Sequence, residues 1–251
     1  MPEDRLFAAR LSDMAERSGR TGSCVYSHFF DEGQCAAAER QLPHELPPGI
    51  LYRLWGGFPE ARRKMLAVYP DYLEESVQEE YPMTCLTFTY RKEDSLTHRD
   101  FLGSFMGAQL KRETIGDIVA GEGRAQALVT DTAASLLLSS VTKIGRTGVK
   151  ITDTQPFDME VRQEFRLISG TVASVRLDSL TALAANISRE KAAGLIRSEK
   201  VEVNHLPAAS VSMELNEGDI LSIRGFGRFI FSGSGSETRR GRIHVELKKY
   251  I

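Results

Sequence analysis

Residues 176–204 read RLDSLTALAANISREKAAGLIRSEKVEVN, and this stretch decides the fold of the C-terminal part of the chain. Four apolar residues recur in it at helical spacing: Leu177, Leu180, Leu183 and Ala184. This spacing predicts a short amphipathic helix that ends near Asn186. Ser188 is a suitable N-cap for a second helix, because its hydroxyl can accept hydrogen bonds from the free backbone N–H groups of the first turn.

Strands and tight turns are predicted after the second helix. Residues 201–203 alternate between valine and glutamate, as a short strand does. Asn204 then occupies a turn position that often demands a left-handed backbone, which asparagine tolerates. Residues 215–218 predict a second turn, and residues 219–224 predict the strand that leaves it.

The order of helix, capped helix, turn and strand resembles the S-four domain, an RNA-binding module named after a small-subunit ribosomal protein. The resemblance is carried by R-L-D at 176–178, S-R-x-x-A at 188–192, V-x-V-N ending at Asn204, and G-D-I at 218–220. His205 stands where that family usually has glycine. The resemblance implies that basic residues around the two helices contact the RNA backbone.

Nine residues are candidate RNA contacts: Arg176, Ser188, Arg189, Lys191, Arg197, Lys200, Asn204, Arg224 and Arg228. Some of them also have a structural interpretation. Asp178 and Ser188 are residue types that cap helices. Arg197 and Lys200 lie near a helix C-terminus, where a cation is favourable without any ligand.

Arg189 is the strongest single candidate. A cation at the positive end of a helix is locally unfavourable, which suggests that an external anion binds there. We therefore expect replacement of Arg189 and Lys191 by alanine to weaken RNA binding without unfolding the domain.

Charge is distributed unevenly along the chain. The whole chain has a formal net charge of −2. Residues 176–251 contain 12 Lys and Arg against 9 Asp and Glu, a net of +3, which leaves a net of −5 for the remainder. This balance predicts only a few phosphate contacts and a shallow dependence of binding on salt.

Length and cysteine content suggest an intracellular protein of two or three domains. A chain of 251 residues exceeds one typical domain. Three cysteines, Cys24, Cys35 and Cys85, without a C-x-x-C pair favour neither a disulfide framework nor a zinc site. The N-terminus lacks the apolar core of a signal peptide, and no run approaches the roughly 18 apolar residues of a membrane span. We expect a cytoplasmic protein with no metal.

Three domains are predicted: an N-terminal, mainly helical domain over residues 1–80, a central domain over 81–170, and the S-four RNA-binding domain over 171–251. Residues 3–18 and 31–40 favour helices. Pro59 suits the first position of a further helix, which would contain Arg62, Arg63 and Lys64. That basic triplet could meet RNA or form a solvated helix face. The acidic stretch over residues 74–82 is interpreted as a connector.

The central region predicts strand, helix, strand, strand, helix and strand in that order. The corresponding segments are residues 85–90, 98–111, 115–120, 127–129, 136–141 and 149–152. Thr97 and Asp100 form a predicted capping box. This βαββαβ order matches a ferredoxin-like fold, so the fold class is α+β. The pattern K/R-G-F/Y-G/A-F of RNA-recognition motifs is absent.

A wider resemblance is carried by L-T-H-R-D-F-L-G-S-F-M-G at 96–107, K-R-E-T-I-G-D-I at 111–118 and G-G-F at 56–58. These segments resemble the YlmH family over essentially the whole chain. The resemblance implies a helical N-terminal part, a central RNA-binding domain and a C-terminal S-four domain. It also implies an association with the large ribosomal subunit and the rescue of stalled translation in bacteria. Arg62-Arg63 departs from the Glu-Arg of that family.

Enzymatic motifs are incomplete. His98-Arg99-Asp100 spells part of a kinase catalytic loop, but the glycine-rich loop, D-F-G and the downstream asparagine are missing. Residues 232–236, Ser-Gly-Ser-Gly-Ser, lack the lysine of a phosphate-binding loop and are interpreted as a flexible hairpin tip. Closing that hairpin would gather up to five arginines: Arg224, Arg228, Arg239, Arg240 and Arg242. The loop could then bind a partner or form an unbound, solvated hairpin. We predict no catalytic residue, cofactor or small-molecule substrate.

The predicted function is that of a non-catalytic RNA-binding protein in translation quality control or rescue of stalled ribosomes. Its partner would be structured ribosomal RNA of the large subunit, with tRNA as a further candidate. Double-stranded RNA presents its backbone and shallow minor groove more readily than base edges, which suits recognition by charge and shape. Two alternatives stay open: an RNA-modifying enzyme anchored by an S-four domain, and a scaffold associated with cell division.

Overall fold

The computed structural model describes residues 2–77, 80–161, 165–208, 210–239 and 241–250. The chain divides into two compact units, residues 1–161 and residues 162–251. Both units combine helices with antiparallel sheets, as the predicted α+β class requires. The finer division into three domains stays a prediction. Within the described residues, no helix combines the length and apolar character that crossing a membrane requires.

The first unit begins with two helices and a three-stranded sheet. Its elements are α1 (Pro2–Thr21), β1 (Val25–Phe30), α2 (Glu32–Glu45), β2 (Ile50–Trp55) and β3 (Lys64–Pro70). The strands are antiparallel in the order β1-β3-β2. The two helices predicted over 3–18 and 31–40 are present, but three strands accompany them. This part of the chain is therefore mixed, and its description as mainly helical is corrected.

The helix predicted after Pro59 is absent, because Lys64 begins strand β3 instead. Leu66 and Val68 of β3 pack with α1 and α2, while Met65 and Ala67 pack on the opposite face of the sheet. A strand that is buried on both faces is apolar at every position and lacks the alternation by which strands are recognised. That lack of alternation explains the error.

The rest of the first unit follows the predicted order. Its elements are β4 (Met83–Thr89), α3 (His98–Gly107), β5 (Ile115–Ala120), β6 (Arg124–Thr130), α4 (Asp131–Ser140), β7 (Lys143–Ile144), β8 (Thr147–Gly148) and β9 (Lys150–Thr152). Four of these strands form an antiparallel sheet in the order β5-β6-β4-β9. The short β7–β8 hairpin is an addition that the sequence did not predict. The Asp100 carboxylate accepts hydrogen bonds from the backbone N–H of Thr97 at 2.8 Å and from its hydroxyl at 2.6 Å, as capping requires.

The two sheets of the first unit approach each other at glycines. A Cβ atom on Gly116 would lie 2.7 Å from the Phe29 ring and 3.1 Å from Leu128 Cβ. Gly57 has a φ of +93°, and a Cβ atom there would lie 2.6 Å from the Leu128 side chain. Both glycines belong to the motifs G-G-F and K-R-E-T-I-G-D-I, so the motifs mark a packing contact.

Arg63 forms hydrogen bonds across the same contact between the two sheets. Its guanidinium donates to the carbonyl oxygens of Ile115 at 2.9 Å and Phe29 at 3.1 Å. The Asp117 carboxylate accepts hydrogen bonds from the backbone N–H groups of Arg62 and Arg63. Arg63 is therefore a structural residue, and the basic triplet does not form a solvated helix face, because Lys64 begins strand β3. A contact of Arg62 or Lys64 with RNA stays a prediction.

The stretch interpreted as a connector is packed against the first unit. Val77 and Tyr81 are buried, and the Tyr81 hydroxyl donates to the Arg53 carbonyl oxygen at 2.9 Å. Residues 78 and 79 lie outside the described residues. The described part of the stretch thus contributes to the core.

The second unit is a six-stranded antiparallel sheet with two helices. Its elements are β10 (Phe165–Val172), α5 (Leu177–Ala185), α6 (Arg189–Arg197), β11 (Val201–Val203), β12 (Leu206–Pro207), β13 (Ile220–Ile223), β14 (Gly227–Glu237) and β15 (Ile243–Tyr250). The strand order is β10-β15-β14-β13-β11-β12. Both predicted helices and the strands near 201–203 and 219–224 are confirmed. Asn204 has the predicted left-handed backbone, with a φ of +49°, and His205 follows at +65°.

The hairpin tip was predicted in the wrong place. Residues 232–236 lie inside β14, and the strand pairing shifts register on both sides of Gly233 and Ser234. The chain reverses between Thr238 and Arg242 instead, where the Thr238 backbone N–H donates to the Arg242 carbonyl oxygen at 2.7 Å. Glycine and serine within a strand are accommodated by such bulges, so the composition of the segment was misleading.

We expect Gly116→Ala to lower the free energy of unfolding by about 1–3 kcal/mol, because the added methyl group would overlap the Phe29 ring. Gly103→Ala is the matched control. Gly103 lies inside α3, and a Cβ atom added there would have no neighbouring atom within 4 Å, so alanine should leave stability unchanged or raise it by up to ~1 kcal/mol. Chemical denaturation of both variants measures the difference, and equal midpoints would contradict the packing assignment.

Candidate nucleic-acid interface

The candidate RNA contacts all lie in the second unit, in three places. The first group surrounds the N-terminal ends of α5 and α6: Arg176, Ser188, Arg189 and Lys191. The second lies at or beyond the C-terminal end of α6 and at the β13–β14 turn: Arg197, Lys200, Arg224 and Arg228. Asn204 stands apart, in the turn between β11 and β12.

A buried carboxylate organises the first group. One oxygen of Asp178 accepts hydrogen bonds from Arg189 Nη2 at 2.6 Å and Arg189 Nε at 3.2 Å. The other oxygen accepts the backbone N–H of Ser179 at 2.9 Å and lies 3.7 Å from Arg176 Nε. Asp178 is therefore the shared counter-ion of two arginines rather than a simple cap.

This geometry corrects the argument that singled out Arg189. The anion beside it is internal, because Asp178 already neutralises the cation at the start of α6. The two residues are 11 positions apart, and only the packing of α5 against α6 brings them together. Alanine at position 189 is thus expected to disturb the fold as well as any contact with RNA.

Ser188 and Asn204 use their polar atoms inside the protein. The Ser188 hydroxyl accepts the backbone N–H of Lys191 at 3.3 Å, which is the predicted N-cap of α6. The Asn204 amide donates to Asp219 Oδ1 at 2.8 Å and accepts the backbone N–H of Ile220 at 2.9 Å. Both side chains fix the local backbone, and a contact of either with RNA stays a prediction.

Lys191 and Arg197 lie on the solvent side of α6. The opposite side of this helix buries three residues in the core: Ala192, Ala193 and Ile196. Both basic side chains are exposed. Phosphate contacts position a protein on RNA through such outward cations.

Three members of the second group, Lys200, Arg224 and Arg228, belong to a larger basic cluster at one end of the sheet. The Arg224 backbone N–H donates to the Lys200 carbonyl oxygen at 2.9 Å, and both side chains are exposed. The Arg228 guanidinium lies 5.6 Å from the centre of the Tyr250 ring. Strand pairing adds three cations that the sequence did not single out: Arg166, Lys248 and Lys249. We call these six residues the basic sheet end: Arg166, Lys200, Arg224, Arg228, Lys248 and Lys249.

The five-arginine cluster predicted at residues 232–236 is wrong. Arg228 lies near the start of β14 and Arg239 lies just beyond its end, roughly 30 Å away at the usual rise per strand residue. Arg242 donates hydrogen bonds to the hydroxyl and carbonyl oxygens of Thr171. Arg240 lies outside the described residues. The described arginines therefore lie at two ends of the hairpin, with Arg224 and Arg228 at one end and Arg239 and Arg242 at the other.

Cys35, Cys85 and Asp100 carry groups that take part in catalysis in some enzymes, but the environment of each one here does not favour that role. Burial raises the pKa of the Cys35 thiol to about 12 and that of the Cys85 thiol to about 11. A nucleophilic thiolate requires a shift in the opposite direction. Hydrogen bonds from Thr97 lower the pKa of Asp100, whose carboxylate is engaged in the helix cap. In the part of the chain that the structure describes, no three histidine, cysteine or acidic residues cluster as metal ligands do.

Comparisons with known proteins agree with an RNA-binding assignment. A family model described as "Putative RNA-binding domain in YlmH" matches residues 77–158. The ribosome-associated protein quality control protein P2 of Bacillus subtilis (strain 168) is 31% identical over 198 residues, which cover 77% of this chain and 76% of that protein.

A solved structure shares the fold. The cell division protein ylmH from Streptococcus pneumoniae superposes with a TM-score of 0.53 and is 18% identical. The similarity covers 62% of this chain and 93% of that one. At this identity, the likeness concerns the fold alone.

We expect Arg189→Ala to reduce the free energy of unfolding of the second unit by about 1–3 kcal/mol, because it removes the main partner of the buried Asp178 carboxylate. The value lies below that of a fully buried pair, since the Arg189 side chain is 51% exposed. Lys191→Ala, on the exposed side of α6, is the control and should be near neutral.

Adding Asp178→Asn to the Arg189→Ala variant should restore part of the loss, since a neutral amide needs no counter-ion. Chemical denaturation of the three variants and the wild type measures these differences. An Arg189→Ala variant as stable as Lys191→Ala would show that the pair contributes nothing to folding.

Proposed function

Because the chain belongs to the YlmH family, we propose that it is a ribosome-associated RNA-binding protein that acts in quality control of translation. The observation that carries the proposal is the 31% identity to the Bacillus subtilis ribosome-associated quality control protein over three quarters of both chains. The RNA-binding family description over residues 77–158 and the basic sheet end support it. A ribosomal partner would make the cytoplasm the place of action.

The second unit is proposed as an S-four-type RNA-binding domain. The support is the order of α5, the Ser188-capped α6, the Val201–Val203 strand and the left-handed turn at Asn204. The sheet order β5-β6-β4-β9 with α3 and α4 supports a ferredoxin-like central domain. With the N-terminal part, these assignments make three domains with proposed boundaries near residues 80 and 170.

The proposed partner is structured ribosomal RNA of the large subunit, with tRNA as a second partner. An A-form helix presents phosphates and 2′-hydroxyl groups across a shallow minor groove, and its major groove is too narrow for side chains to read. Exposed lysines and arginines on a rigid helix and strand end suit that surface. Lys191 and Arg197 on α6, together with the basic sheet end, would supply the phosphate contacts.

Buried ion pairing keeps this surface in position. The Asp178 carboxylate joins the N-terminal end of α6 to that of α5, so the outward face of α6 has one orientation. Charge placed on a preformed surface avoids the ordering cost that a flexible basic segment would incur on binding. The proposal includes no catalytic step.

We expect the variant Lys200→Ala/Arg224→Ala to bind the large ribosomal subunit more weakly and with a lower salt dependence. Removal of one phosphate-binding side chain should reduce the slope of log affinity against log salt by about one unit. Co-sedimentation with purified subunits over a range of salt concentrations measures both quantities. The neighbouring backbone hydrogen bond does not involve either side chain, so the fold should persist.

The matched control is Arg10→Ala/Arg239→Ala, which removes two exposed positive charges from α1 and from the far hairpin tip. It changes the net charge equally but leaves the basic sheet end intact. Equal losses in both double variants would mean that net charge, rather than this surface, controls binding. A wild-type protein that does not co-sediment at all would overturn the proposed function.

A further inference from the structure

An open cleft lies on the helix side of the second unit, between the C-terminal end of α5, the edge strand β10 with its neighbour β15, and the β13–β14 turn. Its volume is about 530 Å³. The lining residues are Arg166, Leu167, Ile168, Ser169, Ala184, Ala185, Asn186, Phe226 and Lys249. The cleft therefore combines an aromatic ring, aliphatic walls, two cations and neutral hydrogen-bonding groups.

The two cations of the cleft face each other across a strand pair. Arg166 and Lys249 are direct partners in the β10–β15 ladder, so both side chains project on the same face of the sheet. Like charges placed directly opposite each other destabilise a sheet. Lys249 Nζ lies 5.6 Å from the centre of the Phe229 ring. This cation–π interaction stabilises the Lys249 cation and offsets part of the repulsion from Arg166.

Among the described residues, no carboxylate lies beside this pair in the lining of the cleft. None of the lining residues in the described part of the chain is Asp or Glu. This arrangement differs from that at Arg189, whose anion is the internal Asp178. The pair is thus suited to an external anion.

The aromatic ring is presented by a turn that depends on glycine. Gly225 and Gly227 flank Phe226 and have φ values of +88° and +115°. The backbone N–H of Phe226 donates to the Ile223 carbonyl oxygen at 2.9 Å, which closes the turn. A Cβ atom on Gly227 would lie 3.3 Å from Lys249, so the turn and the cation are close neighbours.

The sequence around the Phe226 ring matches part of a known RNA-recognition pattern. Arg224-Gly225-Phe226-Gly227 has the first four residue types of the pattern K/R-G-F/Y-G/A-F, in which aromatic rings are presented for base stacking. Arg228 replaces the fifth residue, and the segment forms a turn rather than a strand interior. What is shared is an aromatic ring beside backbone and cations. The Phe226 ring is partly buried against the core of the unit and also lines the cleft.

We propose that this cleft binds one unpaired nucleotide of an RNA, with the base stacked on Phe226 and the phosphate held between Arg166 and Lys249. The inference rests on the proposed function and specifies a substrate class for this part of the interface. Asn186 and Ser169 line the cleft and can donate and accept hydrogen bonds at the base edge. The cleft volume lies in the range of small-ligand sites, roughly 300–1,000 Å³.

An unpaired nucleotide fits these walls better than a paired one. A base within a duplex is covered on both faces by its neighbours, so it cannot lie against Phe226. Unpaired bases in loops, bulges and ends can be splayed out and stacked on aromatic side chains. The cleft would thus anchor an extruded base while the outward cations contact the backbone of a neighbouring helix.

The test compares single-stranded and duplex RNA of the same sequence, using the full-length chain and a fluorescent oligoribonucleotide of roughly eight nucleotides. Phe226→Ala should weaken single-strand binding on the order of tenfold and leave duplex binding within about twofold. Phe226→Tyr keeps a stacking ring and should retain single-strand affinity. Thermal unfolding of each variant checks that the fold is intact.

Arg166→Ala tests the phosphate contact without touching the turn, since Arg166 is exposed in β10. It should weaken single-strand binding several-fold and reduce its salt slope by about one unit. Arg239→Ala removes the same charge at the distant hairpin tip and should leave single-strand binding unchanged. Photo-crosslinking with an oligonucleotide containing 5-bromouridine should label the peptide that contains Phe226.

Unchanged single-strand affinity in both Phe226→Ala and Arg166→Ala would overturn the nucleotide site. The same holds for equal losses with single-stranded and duplex RNA, or for crosslinks confined to other peptides. In each of these cases, retained co-sedimentation of the variants with the large subunit would leave the proposed function standing. Failure of the wild type to bind any of these RNAs or the subunit would instead reject the proposed function itself.

Discussion

The second unit depends on one buried carboxylate. Asp178 lies in the first turn of α5 and binds the guanidinium of Arg189 in the first turn of α6, with Arg176 beside it. An unpaired carboxylate in this environment would be costly, so the two helices must keep their relative positions for the charges to meet. The orientation of α6 follows, and with it the outward direction of Lys191 and Arg197.

The first unit meets a constraint of a different kind, which is steric. Its two sheets approach so closely that Gly116 and Gly57 have no room for a side chain. Arg63 supplies hydrogen bonds at this contact, because its guanidinium donates to a carbonyl oxygen of each sheet. Burial of this guanidinium lowers its pKa, yet it stays attached to these acceptors and beside Asp117. A residue pattern that is shared with a family can therefore arise from a packing requirement as well as from ligand binding.

The strand register determines which charged side chains lie together on the surface of the second unit. Lys248 and Lys249 come from the last strand, Arg166 from the first strand of the unit, and Arg224 from a turn between them. Antiparallel pairing brings these segments to one end of the sheet. The same pairing moves Arg239 and Arg242 to the other end, so that a modest net charge of +3 becomes a local concentration of cations.

Sequence reasoning succeeded where the determining interactions are local. The helices after Arg176 and Ser188 and the Thr97 cap can be recognised from residues within four positions of each other. The left-handed turn was recognised from the residue type of Asn204, although its side chain is held by Asp219 and Ile220. It failed for β3, because a strand buried on both faces has no alternation, and for the serine-glycine segment, because composition does not reveal a bulge. Of the candidate site, it identified individual cations but missed Arg166, Lys248 and Lys249.

By itself, therefore, the sequence determined the order of most elements, the α+β class and the resemblance to an RNA-binding family. The tertiary structure decided which cations are engaged internally and which are exposed. Asp178 and Arg189 are 11 residues apart, and Arg166 and Lys249 are 83 apart, so no local pattern could show that one pair is neutralised and the other is not. Charge pairing acts through space, and only the fold fixes the distances over which it acts.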